Sequence, residues 1–189
     1  GIRGQPRSRG LGDVYKRQDR EIVYRDLFRY TWRQFYDRVK KLAGALIGIG
    51  VKPGMKVGVM DFDTHRYLEL YFAVPMIGAV LHTINLRLPP EWILYTIKHA
   101  EDSVLVVRDD FVPLVEKVKG MLPPALKHFI ITSDRGEMPR TTLEKAYDYE
   151  ELLRNAEPVE EFPEFDENTM ATLFYTTGTT GLPKGVVFT

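Results

Sequence analysis

The sequence predicts an α/β fold, a largely parallel sheet with helices over its faces. Three observations carry this. Short runs rich in β-branched and aromatic residues alternate with stretches of helical periodicity between Lys56 and Thr132, the pattern of strand–helix–strand units. The 189 residues are 44% hydrophobic and 28% charged, so the chain can bury a sizeable core. Near its end, a glycine- and threonine-rich stretch lies between two strand-like runs, Ala171–Phe174 and Val186–Phe188.

In chain order, residues 1–18 carry five basic residues against one acid, with Gly and Pro scattered among them and no apolar face. They read as a non-native or disordered tail, resembling translated adaptor sequence, and the folded domain is expected over 19–189. Ile22–Tyr24 and Phe28–Tyr30 form a predicted hairpin. Thr31 and Gln34 have capping-box spacing ahead of a helix whose inward face is Trp32, Phe35, Tyr36, Val39, Leu42, Ala43, Leu46 and Ile47. Gly50 and Pro53 end it. Lys56–Met60 is a strand. Asp63 or Thr64 caps a helix to Ile77, with Pro75 disturbing its last turn. Ala79–Ile84 is a strand and Asn85–Leu88 a turn. Pro89-Pro90-Glu91 starts a helix with proline and an acid in the first turn, and Ile93, Leu94, Ile97 and Ala100 face inward. A strand at Val104–Val107, a helix over Asp110–Met121 (Phe111, Leu114, Val115 and Val118 inward), a strand at Phe129–Thr132 and a short helix at Tyr149–Arg154 follow. Asn155–Asn168 holds six acids and no base and reads as a solvated connection.

The stretch Tyr175-Thr176-Thr177-Gly178-Thr179-Thr180-Gly181-Leu182-Pro183-Lys184-Gly185 has three glycines, four threonines and one lysine. Glycine admits positive φ and close approach of a ligand to the backbone. Inward-turned N–H groups make an anion-binding concavity. At about 4 Å from a phosphate oxygen, the Lys184 charge is worth roughly 4 kcal/mol at an effective dielectric near 20, before desolvation. This composition suits a polyphosphate. A flexible linker would have the same Gly and Thr content, but Pro183 and the flanking strands argue against it. A Walker A loop needs Gly-Lys-Ser/Thr leading into a helix, whereas Lys184 is followed by Gly185 and a β-branched run.

Lys plus Arg equals Asp plus Glu at 26 each, which gives no electrostatic footprint for nucleic acid. With no cysteine, disulfides, thiolate catalysis and Cys-based metal sites are excluded. A cytoplasmic location is expected. No apolar run is long enough for a transmembrane helix. His65, His82, His99 and His128 lack metal-ligand spacing and are read as structural.

The eleven residues from Tyr175 to Gly185 closely resemble the phosphate-binding signature of the adenylate-forming superfamily: acyl-CoA synthetases, aryl-CoA ligases, luciferases and peptide-synthetase adenylation domains. The departure is Thr177, where serine is commonest, and it keeps the hydroxyl. Gly78–Leu88, with Glu91 and His99-Ala100, is similar to the medium- and long-chain fatty acyl-CoA synthetases. There Leu86 replaces a usual proline, which touches only the turn. The resemblance covers about Asp19 to the end. It implies the N-terminal part of an AMP-binding domain, in an enzyme that converts a carboxylic acid and ATP to an acyl-adenylate and then, with CoA, to a thioester.

It further implies that Thr176, Thr177, Gly178, Thr179, Thr180, Gly181, Lys184 and Gly185 hold the β- and γ-phosphates, with Thr176 contacting Mg²⁺. Lys184 would act catalytically by offsetting charge on departing pyrophosphate. The partners would be small molecules (ATP, a carboxylic acid, CoA), with a homodimer for the full-length protein. The alternatives are an aryl-CoA ligase, a peptide-synthetase adenylation domain, or a phosphate-binding module without chemistry. The family's adenine site, Mg²⁺-binding glutamate and C-terminal lysine lie downstream of the loop, so the 189-residue chain by itself is expected not to turn over. Pyrophosphate release from ATP with a panel of fatty acids and Mg²⁺ measures this. Acid-dependent release above a Lys184→Ala control would contradict it.

Overall fold

The computed structural model describes residues 19–177 and 181–189; the expectation for residues 1–18 lies outside them. β1 (Glu21–Tyr24) and β2 (Phe28–Thr31) form the predicted antiparallel hairpin, a small sheet of its own. α1 (Trp32–Gly48) begins with the predicted capping box, in which Gln34 N–H donates to Thr31 Oγ1 (3.3 Å) and Thr31 N–H to Gln34 Oε1 (2.8 Å). Its stripe is narrower than expected. Phe35, Val39, Leu42, Ala43 and Leu46 are buried, but Ile47, at the margin of the stripe in the last turn, is half exposed.

The main sheet follows: β3 (Lys56–Met60), β4 (Val80–Thr83), β5 (Asp102–Arg108), β6 (His128–Thr132), β7 (Ala146–Asp148), β8 (Thr172–Thr176) and β9 (Lys184–Phe188). The spatial order is β7-β6-β5-β3-β4-β8-β9. All neighbours are parallel except β8 and β9. The expected fold class holds. From β3 the chain steps to β4 on one side and then crosses to β5 on the other. That reversal opens a crevice at the carboxyl ends of the strands, where doubly wound sheets bind ligands.

The connecting helices cover both faces. α1, α2 (His65–Met76) and α5 (Tyr149–Asn155) lie with Val57, Val59, Leu81, Val104, Val106 and Ile130 in one core. On the other face, α3 (Pro90–Ala100) and α4 (Val112–Val118) pack on Met60, Leu105, Val107, Phe129 and Ile131. Within β5, Val104 and Val106 face one core while Leu105 and Val107 face the other. Both are the inward sides of a two-faced strand.

Several boundaries moved for local reasons. Thr64 caps α2, accepting the Tyr67 N–H at 3.2 Å. The continuous helix expected over Asp110–Met121 is instead a 3₁₀ turn (Asp109–Phe111), α4, and a second 3₁₀ turn (Lys119–Met121). Pro113 is tolerated only in a first helical turn, so the α-helix begins at Val112. β7 has too few residues to show a periodicity. The acidic connection is not merely solvated. Val159 N–H donates to Lys40 O at 3.1 Å, Glu160 pairs with Lys40 at 2.8 Å, and Val159 and Phe162 pack against the core. Gly44 of α1 has no room for a Cβ beneath the Glu157 carbonyl, so glycine is required where the two segments cross.

A charged network ties α1, α2, α5, β1 and β5 together. Arg38 donates to Glu69 (2.7 and 3.2 Å) and to Glu150 (2.8 and 3.1 Å). Arg66 bridges Glu150 and Asp134, each at 2.9 Å. Asp134 also receives Arg108 (3.1 Å) and Tyr24 O–H (3.0 Å). Burial pushes the Glu150 carboxyl up, but the Arg38 and Arg66 guanidinium groups outweigh it and hold it below the usual carboxylate range. Glu69 is fully buried and also receives Tyr149 O–H at 2.7 Å. Removing one partner of a buried charge network leaves the others uncompensated. Glu69→Ala is therefore expected to cost roughly 3 kcal/mol of folding stability, read by urea denaturation; a loss below about 1 kcal/mol, the level of a surface pair, would contradict it.

Candidate functional site: a cleft beside the β8–β9 hairpin

β8 is placed by parallel pairing with β4 (Leu81 with Thr172, His82 with Leu173, Thr83 with Phe174). Its outer edge pairs with β9 in antiparallel register, from Thr172 with Phe188 to Thr176 with Lys184. Leu173 and Tyr175 point inward onto Val80 and Ala100, while Phe174 and Phe188 stack at 5.3 Å.

Both strands run further toward the loop than the sequence suggested. Thr176 and Lys184 therefore face each other as the last paired residues, with Thr176 Oγ1–H pointing at Lys184 O (3.5 Å). Gly185 also lies on β9, opposite Tyr175, where an added Cβ would come within 3.3 Å of Leu173. Thr177, Gly181 and Lys184 are exposed and Pro183 is buried, so the loop exit is anchored while its polar groups face solvent. Gly178, Thr179 and Thr180 lie outside the described residues.

Thr176, Thr177, Gly181, Lys184 and Gly185 line one side of a cleft of about 570 Å³. α3 also lines this cleft, through Tyr95 and His99, one helical turn apart with ring centroids 5.5 Å from each other. Sequence reasoning missed this part of the lining, having read His99 as structural. The pairing of Tyr95 and His99 at i and i+4 was visible, but nothing local shows that α3 lies against β8.

A polar column runs beneath. His99 Nδ1 and Tyr175 O–H are 2.8 Å apart, and the Tyr175 ring meets His82 edge-on at 5.2 Å. His82 Nδ1 contacts Asp102 at 2.8 and 3.0 Å, and both side chains are fully buried. Burial pushes the Tyr175 phenol up to about 12, with the Asp102 and Tyr95 oxygens adding to it. Burial also pushes the Asp102 carboxyl up, and the His82 contact opposes this. His65 and His128 are elsewhere. His65 stacks on Phe28 at 4.2 Å, and burial lowers its pKa to about 3. His128 meets Tyr147 O–H at 3.2 Å.

A second cleft, of about 740 Å³, lies on the other flank of the hairpin, with Asp61, Thr83, Asn85, Arg87, Phe174 and Phe188 among its lining. It is at the carboxyl ends of β3 and β4, in the crevice that the sheet order creates. Among the described residues, no group of three or more His, Cys, Asp or Glu could hold a metal ion, and no helix is long and apolar enough to cross a membrane.

An exposed lysine, two threonine hydroxyls and glycine backbone around one cleft are a set for gripping a polyanion. The family model described as AMP-binding enzyme matches residues 13–189. The chain belongs to the AMP-binding enzyme family. This AMP-binding chain is 41% identical over 174 residues to a long-chain-fatty-acid–CoA ligase of Thermus thermophilus, covering 89% of the chain and 30% of that relative. It is 38% identical over 160 residues to a 3-methylmercaptopropionyl-CoA ligase of Ruegeria lacuscaerulensis, covering 85% and 30%. It also superimposes on an anthranilate CoA ligase crystallised with anthranoyl-AMP, with a TM-score of 0.84 and 27% identity, over 93% of the chain and 33% of that structure. The AMP-binding chain thus spans about 30% of the length of these relatives.

The buried pair under the site leaves little room. A Cβ at Gly58 of β3 would sit 2.7 Å from Asp102 Oδ2. Gly58→Ala is expected to force the pair apart and cost about 1–3 kcal/mol. Denaturation of the variant measures this, and unchanged stability would show that Asp102 can move aside freely.

Proposed function

We propose that this segment carries the polyphosphate-gripping part of an ATP-dependent acid–thiol ligase. In that reaction a carboxylate oxygen attacks the α-phosphorus of ATP, and the bond to pyrophosphate breaks. The CoA sulfur then attacks the acyl carbon and AMP leaves. The observation that carries the reading is Lys184 facing Thr176 across the last hydrogen-bonded step of the hairpin, at the edge of the α3 cleft.

Here Lys184 supplies a full positive charge where the leaving pyrophosphate gathers negative charge, and such preorganised charge lowers the barrier. Thr176, Thr177, Gly181 and Gly185 orient the β- and γ-phosphates, together with Gly178, Thr179 and Thr180. The Thr176 hydroxyl is a neutral, hard oxygen on an exposed strand end. It would serve as one oxygen donor to Mg²⁺, a hard cation that takes oxygen ligands. When bound, Mg²⁺ neutralises phosphate charge. Residues 19–189 form the N-terminal part of the AMP-binding domain in this reading, and a cytoplasmic location accords with a chain free of cysteine.

A fatty acid is the favoured substrate because the Thermus relative is named for one at 41% identity. An aryl acid is the second reading, favoured by the TM-score of 0.84 to the anthranilate ligase. In the protein that joins this segment to the remainder of the family's length, Lys184→Ala is expected to slow acyl-adenylate formation at least about tenfold, or 1.4 kcal/mol. Its folding should be preserved, because the side chain is exposed. Acid-dependent pyrophosphate release unchanged by the substitution would overturn the role.

A further inference from the structure

The imidazole of His99 lines the same cleft as Thr176, Thr177 and Lys184, and its two nitrogens are not equivalent. Nδ1 lies 2.8 Å from the Tyr175 oxygen. Among the described residues, Nε2 has no protein partner. Two tautomers would satisfy the observed distance. If Nδ1 carried the proton and donated to Tyr175, the phenol O–H would have to find a different acceptor, and none is present among the described residues. Tyr175 is only 7% exposed, and a buried O–H without an acceptor costs on the order of 1–3 kcal/mol. The phenol also stays protonated, since burial pushes it up to about 12. Tyr175 O–H therefore donates to Nδ1, and the proton of the neutral ring resides on Nε2. A bond at one ring nitrogen sets what the other offers.

We propose that His99 is a second polyphosphate ligand of this cleft, offering its Nε2–H to a phosphate oxygen, with Tyr175 as the positioning residue that holds the ring in that tautomer. The inference rests on the phosphate-cleft reading above and deepens it. Thr176, Thr177 and Lys184 line the cleft from the hairpin, and His99 lines it from α3. The column Asp102–His82–Tyr175 gives the ring a rigid base, because its lower pair is buried in the sheet.

The side-chain amides separate the two nitrogens. Asn at position 99 places a polar group near Nδ1, keeping a partner for Tyr175 but losing the reach of Nε2. Gln places its amide near Nε2. Binding of inorganic tripolyphosphate to the 189-residue chain, followed by calorimetry, is expected to weaken about tenfold in His99→Asn, the scale of one hydrogen bond to a charged group. His99→Gln should recover most of the affinity, and Lys184→Ala serves as the control. If His99→Asn binds like the parent while Lys184→Ala binds weakly, the inference is wrong and the phosphate-cleft reading stands. If Lys184→Ala also binds like the parent, or the parent does not bind, that reading falls and the inference with it. Imidazole ¹⁵N shifts give a second measurement, independent of any variant at position 99. His99 should show the Nε2–H pattern in the parent chain and lose it in Tyr175→Phe; an Nδ1–H pattern in the parent would overturn the proposal.

Discussion

The constraint on which this structure depends is that its central strands are buried on both faces. β3 and β5 have apolar side chains directed alternately into two cores, so their backbone N–H and C=O groups have no access to water. Each must be paired within the sheet, because an unpaired buried backbone group costs as much as a lost hydrogen bond. Strands at the middle of the sheet satisfy this with a neighbour on each edge, and parallel neighbours require crossover helices long enough to return the chain. Those helices have to lie on both faces for the same reason that the strands are apolar on both. The winding reversal between β4 and β5, and the crevice it opens, follow from it.

Two groups of buried polar side chains stand out inside this frame. Asp102 and His82, on adjoining positions around β3, form a pair within hydrogen-bond distance with no exposure to solvent. Glu69 is equally buried, but it belongs to a network that reaches the surface through Glu150 and Asp134. The two arrangements serve different ends. The network holds the β1–β2 hairpin and α1 against α2 and α5, elements that make no strand contact with the main sheet. The Asp102–His82 pair instead lies directly under the functional hairpin, where it gives Tyr175 a fixed surface to rest on.

The hairpin itself is the one antiparallel step in an otherwise parallel sheet. An antiparallel partner can be reached through a short loop, whereas a parallel one cannot. This local reversal brings Thr176 and Lys184, eight residues apart, together as the last paired step of the two strands. Pro183 is buried and Gly185 pairs with Tyr175, while Lys184 is exposed. A scaffold that is rigid and a recognition loop that is polar and exposed divide the work of folding and of binding.

The α/β class, the capping box on α1, the strand cores and the Tyr175–Gly185 stretch were all legible along the chain, because each is written in residues close together in sequence: a hydrophobic period, a Thr–Gln spacing, a run of glycine and hydroxyl groups. The boundaries were less legible. α4 shortened because of Pro113, and β8 and β9 lengthened because antiparallel pairing continued past their apolar residues. The acidic connection looked solvated when its charges were counted, yet Val159 and Phe162 anchor it to α1. By itself, the sequence singled out the Tyr175–Gly185 stretch and the chemistry its residue types suit. Only the tertiary structure decided that His99 and Tyr95 line the same cleft, with His99 against Tyr175. That contact joins a helix and a strand separated by 76 residues between His99 and Tyr175, and no local propensity or spacing encodes such a distance.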